Sequence, residues 1–296
     1  MKTFSALTAA APLIYPNPVQ DIFGTPAVVF RDHRWVLPVL FEAGSGGILE
    51  LPATVVTFDR HRDALNPLDE GEMLKDFGSR EFTLEELLIL VKYHLSPRDD
   101  DWIIAGMELG LVSDVVQFGV RGGDAGEDEN VARHRDTRGR DHRLFHLGLP
   151  AAELSFKGAL ADEGHEACAA GLWNVMAWDP ATRSFGKAGR GCLLDFDLDF
   201  FTFSWRRYTF PFTAEIYEGE FFLPCQSAYY DDLSPVEMVG SLVRNAGAVS
   251  VASEPQFCGG AGNASSILSD VNTRLFGGRI AVDDIAVDYP ADYPTE

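Results

Sequence analysis

An α/β fold with a largely parallel central sheet is what the sequence predicts, and two observations carry that expectation. Short runs rich in β-branched and aromatic residues recur along the chain, several of them apolar on both faces, which marks strands of a parallel sheet covered by helices. Between these runs lie amphipathic segments with helix-capping signatures, and such alternation winds into parallel βαβ units.

The strand segments are AVVF (27–30), TVVTF (54–58), SDVVQFGV (113–120), CLLDFDLDFF (192–201) and AVSVASEP (248–255). The helical segment TLEELLILVKYHL (83–95) places Thr83 and Glu86 as a capping box, with Leu84, Leu87, Leu88 and Val91 on one face. SPVEMVGSLVRNAG (234–247) offers Ser234 as N-cap, Pro235 at the first helical position, Glu237 at the third and Gly247 as a stop. NASSILSDVNTRLFGG (263–278) reads the same way and ends on a glycine pair. The segment 121–141 is charged, glycine-containing and without period, so it is expected to be a long surface loop inserted into the domain. With neither an internal repeat nor a linker, residues 1–296 are expected to form a single domain.

Composition narrows the function classes. Against 24 Lys+Arg stand 45 Asp+Glu, a formal net charge of −21. Such a field repels nucleic acid and anionic membranes and attracts cationic ligands. No apolar stretch has the length that crosses a bilayer. The N-terminal MKTFSALTAAAPLI makes a poor secretory signal, because Pro12 interrupts a weakly apolar run. Cys168, Cys192, Cys225 and Cys258 are far apart and form no C-x-x-C pair, which fits a reduced, cytoplasmic setting. A homo-oligomer is compatible with all of this.

The chemistry sits at strand ends. In VVTFDRHRDAL (55–65) an apolar strand closes with Asp59, His61 and Asp63 at every second position, and in an extended segment these share a face. Converging carboxylates repel one another unless a cation lies between them. LLDFDLDFF repeats the pattern with Asp195, Asp197 and Asp199 inside a strongly hydrophobic window, where an unpaired carboxylate is costly. A half-exposed strand with its aspartates in solvent would give the same alternation. Two such clusters in one α/β chain favour a cation, because ligands in open α/β sheets bind beyond the carboxyl ends of the strands. A third element, Asp32–His33, follows the run 27–30 and adds an imidazole at another strand end. Carboxylates with one or two imidazoles and no thiolate suit Mn²⁺ or Fe²⁺ better than structural zinc. His94, His134, His142, His146 and His165 fall at a helix end or in polar loops, where no role is assigned to them.

FRDHRWVLP, VVTFDRHRDAL and LLDFDLDFF, in that order, resemble the metal motifs of the ureohydrolases, a family that includes arginase and agmatinase. They are closer to an arginase-like branch with E-D-H-x-x-x-L-P, F-D-x-H-x-D and D-I-D-L-D-x-F, which includes the peptide arginases of ribosomal peptide natural-product pathways. The resemblance spans roughly residues 27–260. It implies a three-layer α/β/α arginase-like fold and two Mn²⁺ ions, one held by His33, Asp59, Asp63 and Asp197, the other by Asp59, His61, Asp197 and Asp199. A register one step earlier, with Asp195 and Asp197 as the D-x-D ligands, stays open. It further implies Asp63 as the residue that orients the nucleophile and, by position after the next strand, Glu254 as the carboxylate that holds the substrate. The implied reaction converts an arginine guanidinium to ornithine and urea, with an arginine-containing peptide as substrate, or a small guanidinium compound as the alternative. A metal-binding protein without turnover is a further alternative. The deacetylases share the fold, but the paired histidines they use beside their zinc have no counterpart here.

Overall fold

The computed structural model describes residues 17–67, 71–96, 101–119, 131–147, 178–179, 184–185, 192–205, 208–214, 217, 240 and 242–287. Twelve strands run through them: β1 (Gln20–Ile22), β2 (Thr25–Phe30), β3 (Ala53–Phe58), β4 (Val112–Phe118), β5 (Val131–Arg135), β6 (Asp141–Leu147), β7 (Trp178–Asp179), β8 (Ser184–Phe185), β9 (Cys192–Asp197), β10 (Thr202–Trp205), β11 (Tyr208–Pro211) and β12 (Ala248–Ala252). The α-helices are α1 (Val36–Ser45), α2 (Gly71–Ser79), α3 (Leu84–Tyr93), α4 (Trp102–Leu109), α5 (Pro255–Cys258) and α6 (Ala261–Leu275).

Eight strands form one sheet in the order β1-β2-β12-β9-β3-β4-β6-β5. Every pairing from β2 across to β6 is parallel, and antiparallel β1 and β5 close the two edges. The mixed α/β character and the mostly parallel sheet follow from strands apolar on both faces. Along β3, for example, Val55 packs with Val28, Val115 and Leu193 on one side, and Val56 with Val29, Val116 and Leu194 on the other. The first side is covered by α1 to α4 through Leu37, Leu74, Leu87 and Ile103, the second by α6 through Ile267, Leu268 and Val271. Each such buried aliphatic side chain stabilises the fold by about 1.5–3 kcal/mol.

The capping box of α3 is present as the sequence predicts, with Thr83 Oγ1 accepting from Glu86 N (3.2 Å) and Glu86 Oε2 from Thr83 N (2.8 Å). α6 closes on Gly277 and Gly278, both in left-handed conformations (φ 62° and 73°) that suit glycine. The start of the expected helix at Ser234 and Pro235 lies outside the described residues.

Three expectations change. The strand expected over 192–201 ends at Asp197 and continues as a 3₁₀ turn, Leu198–Phe201, because Asp197 Oδ1 accepts from Asp199 N (3.0 Å) and caps it. The strand expected over 248–255 stops at Ala252, and the chain turns sharply at Glu254 (φ 33°) into α5. The third concerns the loop expected over 121–141. From residue 131 it is β5, paired with β6 through His134↔His142 and Arg135↔Asp141, so His134 and His142 lie on strands. His146 also lies on a strand, opposite Gln117 of β4. Charge hid the hairpin: its tight turn uses Gly139 (φ 80°) and Asp136, whose carboxylate binds Arg138 N (3.0 Å) and Arg140 N (2.8 Å). Residues 121–130 lie outside the described set.

Candidate metal centre

The register of the parallel strands brings the sequence motifs to one place. Phe30 of β2 pairs with Ala252 of β12, Ala252 with Asp197 of β9, and Phe196 with Phe58 of β3. Asp59, one residue beyond Phe58, therefore stands level with Asp197, and both leave the carboxyl end of the sheet together. Beneath them Phe58 stacks between Phe118 and Phe196, each ring centroid 5.0 Å away. These rings fix the depth at which the polar ends begin. Gly119 is needed here, because a Cβ on it would stand 2.6 Å from Asp59 O and the backbone is left-handed (φ 109°).

His33, Asp59, Asp63, Asp197, Asp199 and Glu254 are all buried, while the His61 side chain is 46% exposed. Their ligand atoms fall into three overlapping groups able to hold a metal ion: Asp59, His61, Asp197 and Asp199; His33, Asp59 and Asp63; and His33, Asp197 and Glu254. His33 Nδ1 lies 2.9 Å from Asp63 Oδ2, 3.7 Å from Asp197 Oδ2 and 3.8 Å from Asp59 Oδ2. His61 Nδ1 lies 2.9 Å from Asp199 Oδ2. Asp32 is not in these groups; its carboxylate faces Arg31 (3.6 Å) and Arg34 (3.8 Å).

Asp195 does different work from its two successors. Its Oδ2 meets His33 Nε2 at 2.6 Å and accepts from Thr57 Oγ1 (2.7 Å), while Oδ1 accepts from Ser250 Oγ (2.5 Å). With both oxygens engaged, it holds the imidazole so that Nδ1 faces Asp59, Asp63 and Asp197. Between the two D-x-D registers the sequence leaves open, these contacts place Asp197 and Asp199 in the cluster and Asp195 behind it. Ser250, Asp195, Thr57 and Gln117 form one transverse row across β12, β9, β3 and β4, all wholly buried. Gln117 Nε2 donates to Asp59 Oδ2 (3.0 Å) and to the His61 carbonyl, and His61 N donates to Asp59 Oδ1 (2.7 Å).

Sequence reading missed this supporting row and also Trp102. The indole Nε1 of Trp102 donates to Asp63 Oδ2 (2.8 Å), and its ring lies 4.9 Å from that of His33. One signal was available, since Thr57, Gln117 and Ser250 are polar residues that each stand between two apolar neighbours in their strands. Glu254 N donates to Arg31 O (2.9 Å), and Glu254 Oε1 accepts from His33 N (3.1 Å), so β12 and the end of β2 are tied together at the cluster.

The electrostatics are those of buried carboxylates crowded together. Burial, then the charges of Asp63 and Asp197, hold Asp59 well above the usual carboxylate range. Burial and the neighbouring Asp199 do the same to Asp197. At His33 burial works toward the neutral form, but the charges and hydrogen bonds of Asp195 and Asp63 outweigh it, and the imidazole is raised well above its ordinary range. The hydrogen bond to Asp199 raises His61. A cation fits this set on a further count: Asp199 Oδ1 is buried with no hydrogen-bond partner among the described residues. Buried polar atoms are ordinarily satisfied, and a metal ion would complete it. The buried thiols are not rivals for the chemistry, since burial pushes Cys192 up to about 12 and Cys258 further.

No protein-family model matches this chain, and no curated protein matches it either. Among the described residues no helix is long and apolar enough to cross a membrane.

Proposed function

We propose that this chain is a metal-dependent hydrolase of the ureohydrolase type. In this reading it is a three-layer α/β/α arginase-like protein that holds two Mn²⁺ ions and converts arginine residues of a ribosomally made peptide to ornithine, releasing urea. The observation that carries the reading is the meeting of three ordered motifs, at His33, Asp59–Asp63 and Asp197–Asp199, in one cluster at the carboxyl ends of β2, β3 and β9, its ligand side chains buried except for His61.

His33, Asp59, Asp63 and Asp197 would hold one ion, and Asp59, His61, Asp197 and Asp199 the other, with Asp59 and Asp197 shared. The ions would supply positive charge that lets water ionise near neutral pH and fixes it beside the reacting carbon. The chain does the rest. Asp63 orients the attacking water and takes its proton; the new C–O bond forms at the guanidinium carbon, the C–N bond to the side chain breaks, and the departing amine takes up the proton. Glu254, buried beside His33 and Asp197, offers its carboxylate to the planar cation, which a guanidinium meets with paired hydrogen bonds. The net charge of −21 favours the approach of a basic peptide.

The test incubates Mn²⁺-loaded protein with an arginine-containing peptide, free arginine and agmatine in parallel. Urea together with a peptide mass lower by one cyanamide unit is the expected result. Urea from the small molecules alone would shift the substrate to a free guanidinium compound. Bound metal with no urea from any of the three would sink the hydrolase reading.

A further inference from the structure

We infer that Trp102 is a positioning residue for the metal cluster: its indole N–H selects the orientation of Asp63, and its ring walls His33. This rests on the metal-binding part of the reading above, not on the identity of the substrate.

Asp63 needs outside support. Its backbone is left-handed (φ 46°), a conformation that is uncommon for a residue with a Cβ. The first two residues of α4 supply that support from both ends of Asp63. Ile103 N donates to the Asp63 carbonyl (3.2 Å), and Trp102 Nε1 donates to Asp63 Oδ2 (2.8 Å). The same Oδ2 lies 2.9 Å from His33 Nδ1, so the indole fixes the oxygen that faces the imidazole. The Trp102 ring is wholly buried and tilted 45° against the His33 ring at 4.9 Å, which keeps water from that side of both residues. His33 is thus held from two sides: Asp195 at Nε2, and the Trp102 ring with its Asp63 at Nδ1. Groups that orient metal ligands through a hydrogen bond alter metal affinity when removed, by about 10- to 100-fold.

Trp102→Phe keeps the ring against His33 and deletes only the donor. Wild type and variant are titrated with Mn²⁺ by calorimetry, and the thermal unfolding of both is followed with chelator and with Mn²⁺. The expected result is an Mn²⁺ affinity about tenfold or more lower in the variant, with a gap in unfolding midpoint that is wider with Mn²⁺ than with chelator. A variant that binds Mn²⁺ within about twofold of wild type overturns the positioning role and leaves the metal site standing. Absence of binding to wild type removes the metal reading itself. Should the variant not fold, ¹⁵N-indole spectra of wild type decide the matter: one exchange-protected indole N–H of the five tryptophans should shift with Zn²⁺ and broaden with Mn²⁺. No such signal would overturn the inference.

Discussion

At His33 two opposite demands meet in one ring. Nε2 is committed to Asp195 at 2.6 Å, which leaves Nδ1 as the nitrogen turned to Asp59, Asp63 and Asp197. A carboxylate behind an imidazole fixes its tautomer and makes the free nitrogen a better ligand. Asp195→Asn keeps the shape but leaves a single acceptor oxygen where Thr57 and Ser250 now donate to two, and it removes the charge behind His33. It is expected to lower Mn²⁺ affinity by about 10- to 100-fold, read by calorimetric titration, without unfolding the chain. Unchanged affinity would mean that His33 does not face the metal. The residue types of the cluster were legible in the sequence, because carboxylates at alternate positions in a hydrophobic strand demand an explanation. Which aspartate supports and which faces the cluster was not legible. That depends on Thr57 and Ser250, which reach Asp195 only through the register of three strands.

At the scale of the element, the parallel strands were predictable from apolar runs, and α3 from its capping box. α4 was not, since Trp102–Leu109 is buried all round and leaves no amphipathic period to find. The β5–β6 hairpin was missed for the opposite reason, its charges being spent inside the turn and against α4. Glu108 near the end of α4 accepts from Thr137 N (3.0 Å) and Thr137 Oγ1 (2.8 Å) and pairs with His134 (2.8 Å). Asp136 is held down to about 2: burial acts to raise it, but hydrogen bonds from the Arg140 amide and guanidinium and from His142 prevail. A carboxyl depressed on folding stabilises above its unfolded value, near 3.8, and that stabilisation is lost as pH falls from about 4 through about 2. Asp136→Asn is therefore expected to be less stable than wild type at pH 5, the gap closing as pH falls through that window. Denaturant unfolding of the two at matched pH checks this. A gap independent of pH would remove Asp136 as the charged pin of the hairpin.

At the scale of the molecule, the sheet acts as an aligner. Residues at the ends of β2, β3, β9 and β12 are separated by up to 221 positions in sequence, yet strand pairing delivers His33, Asp59, Asp197 and Glu254 to one edge. The rows below that edge are aromatic and then polar, so the cluster has a rigid floor, and only His61 opens toward solvent. Buried like charges arranged this way work against the fold unless a cation joins them, and binding that cation then contributes to stability directly. The proposed function requires that the cluster hold two divalent ions. It is tested most directly by loading the protein with Mn²⁺, removing free metal and measuring bound metal per chain by mass spectrometry, with Asp59→Asn alongside. About two Mn²⁺ per wild-type chain and a clear loss in the variant are expected. One ion or none in the wild type, or full occupancy in Asp59→Asn, would contradict it.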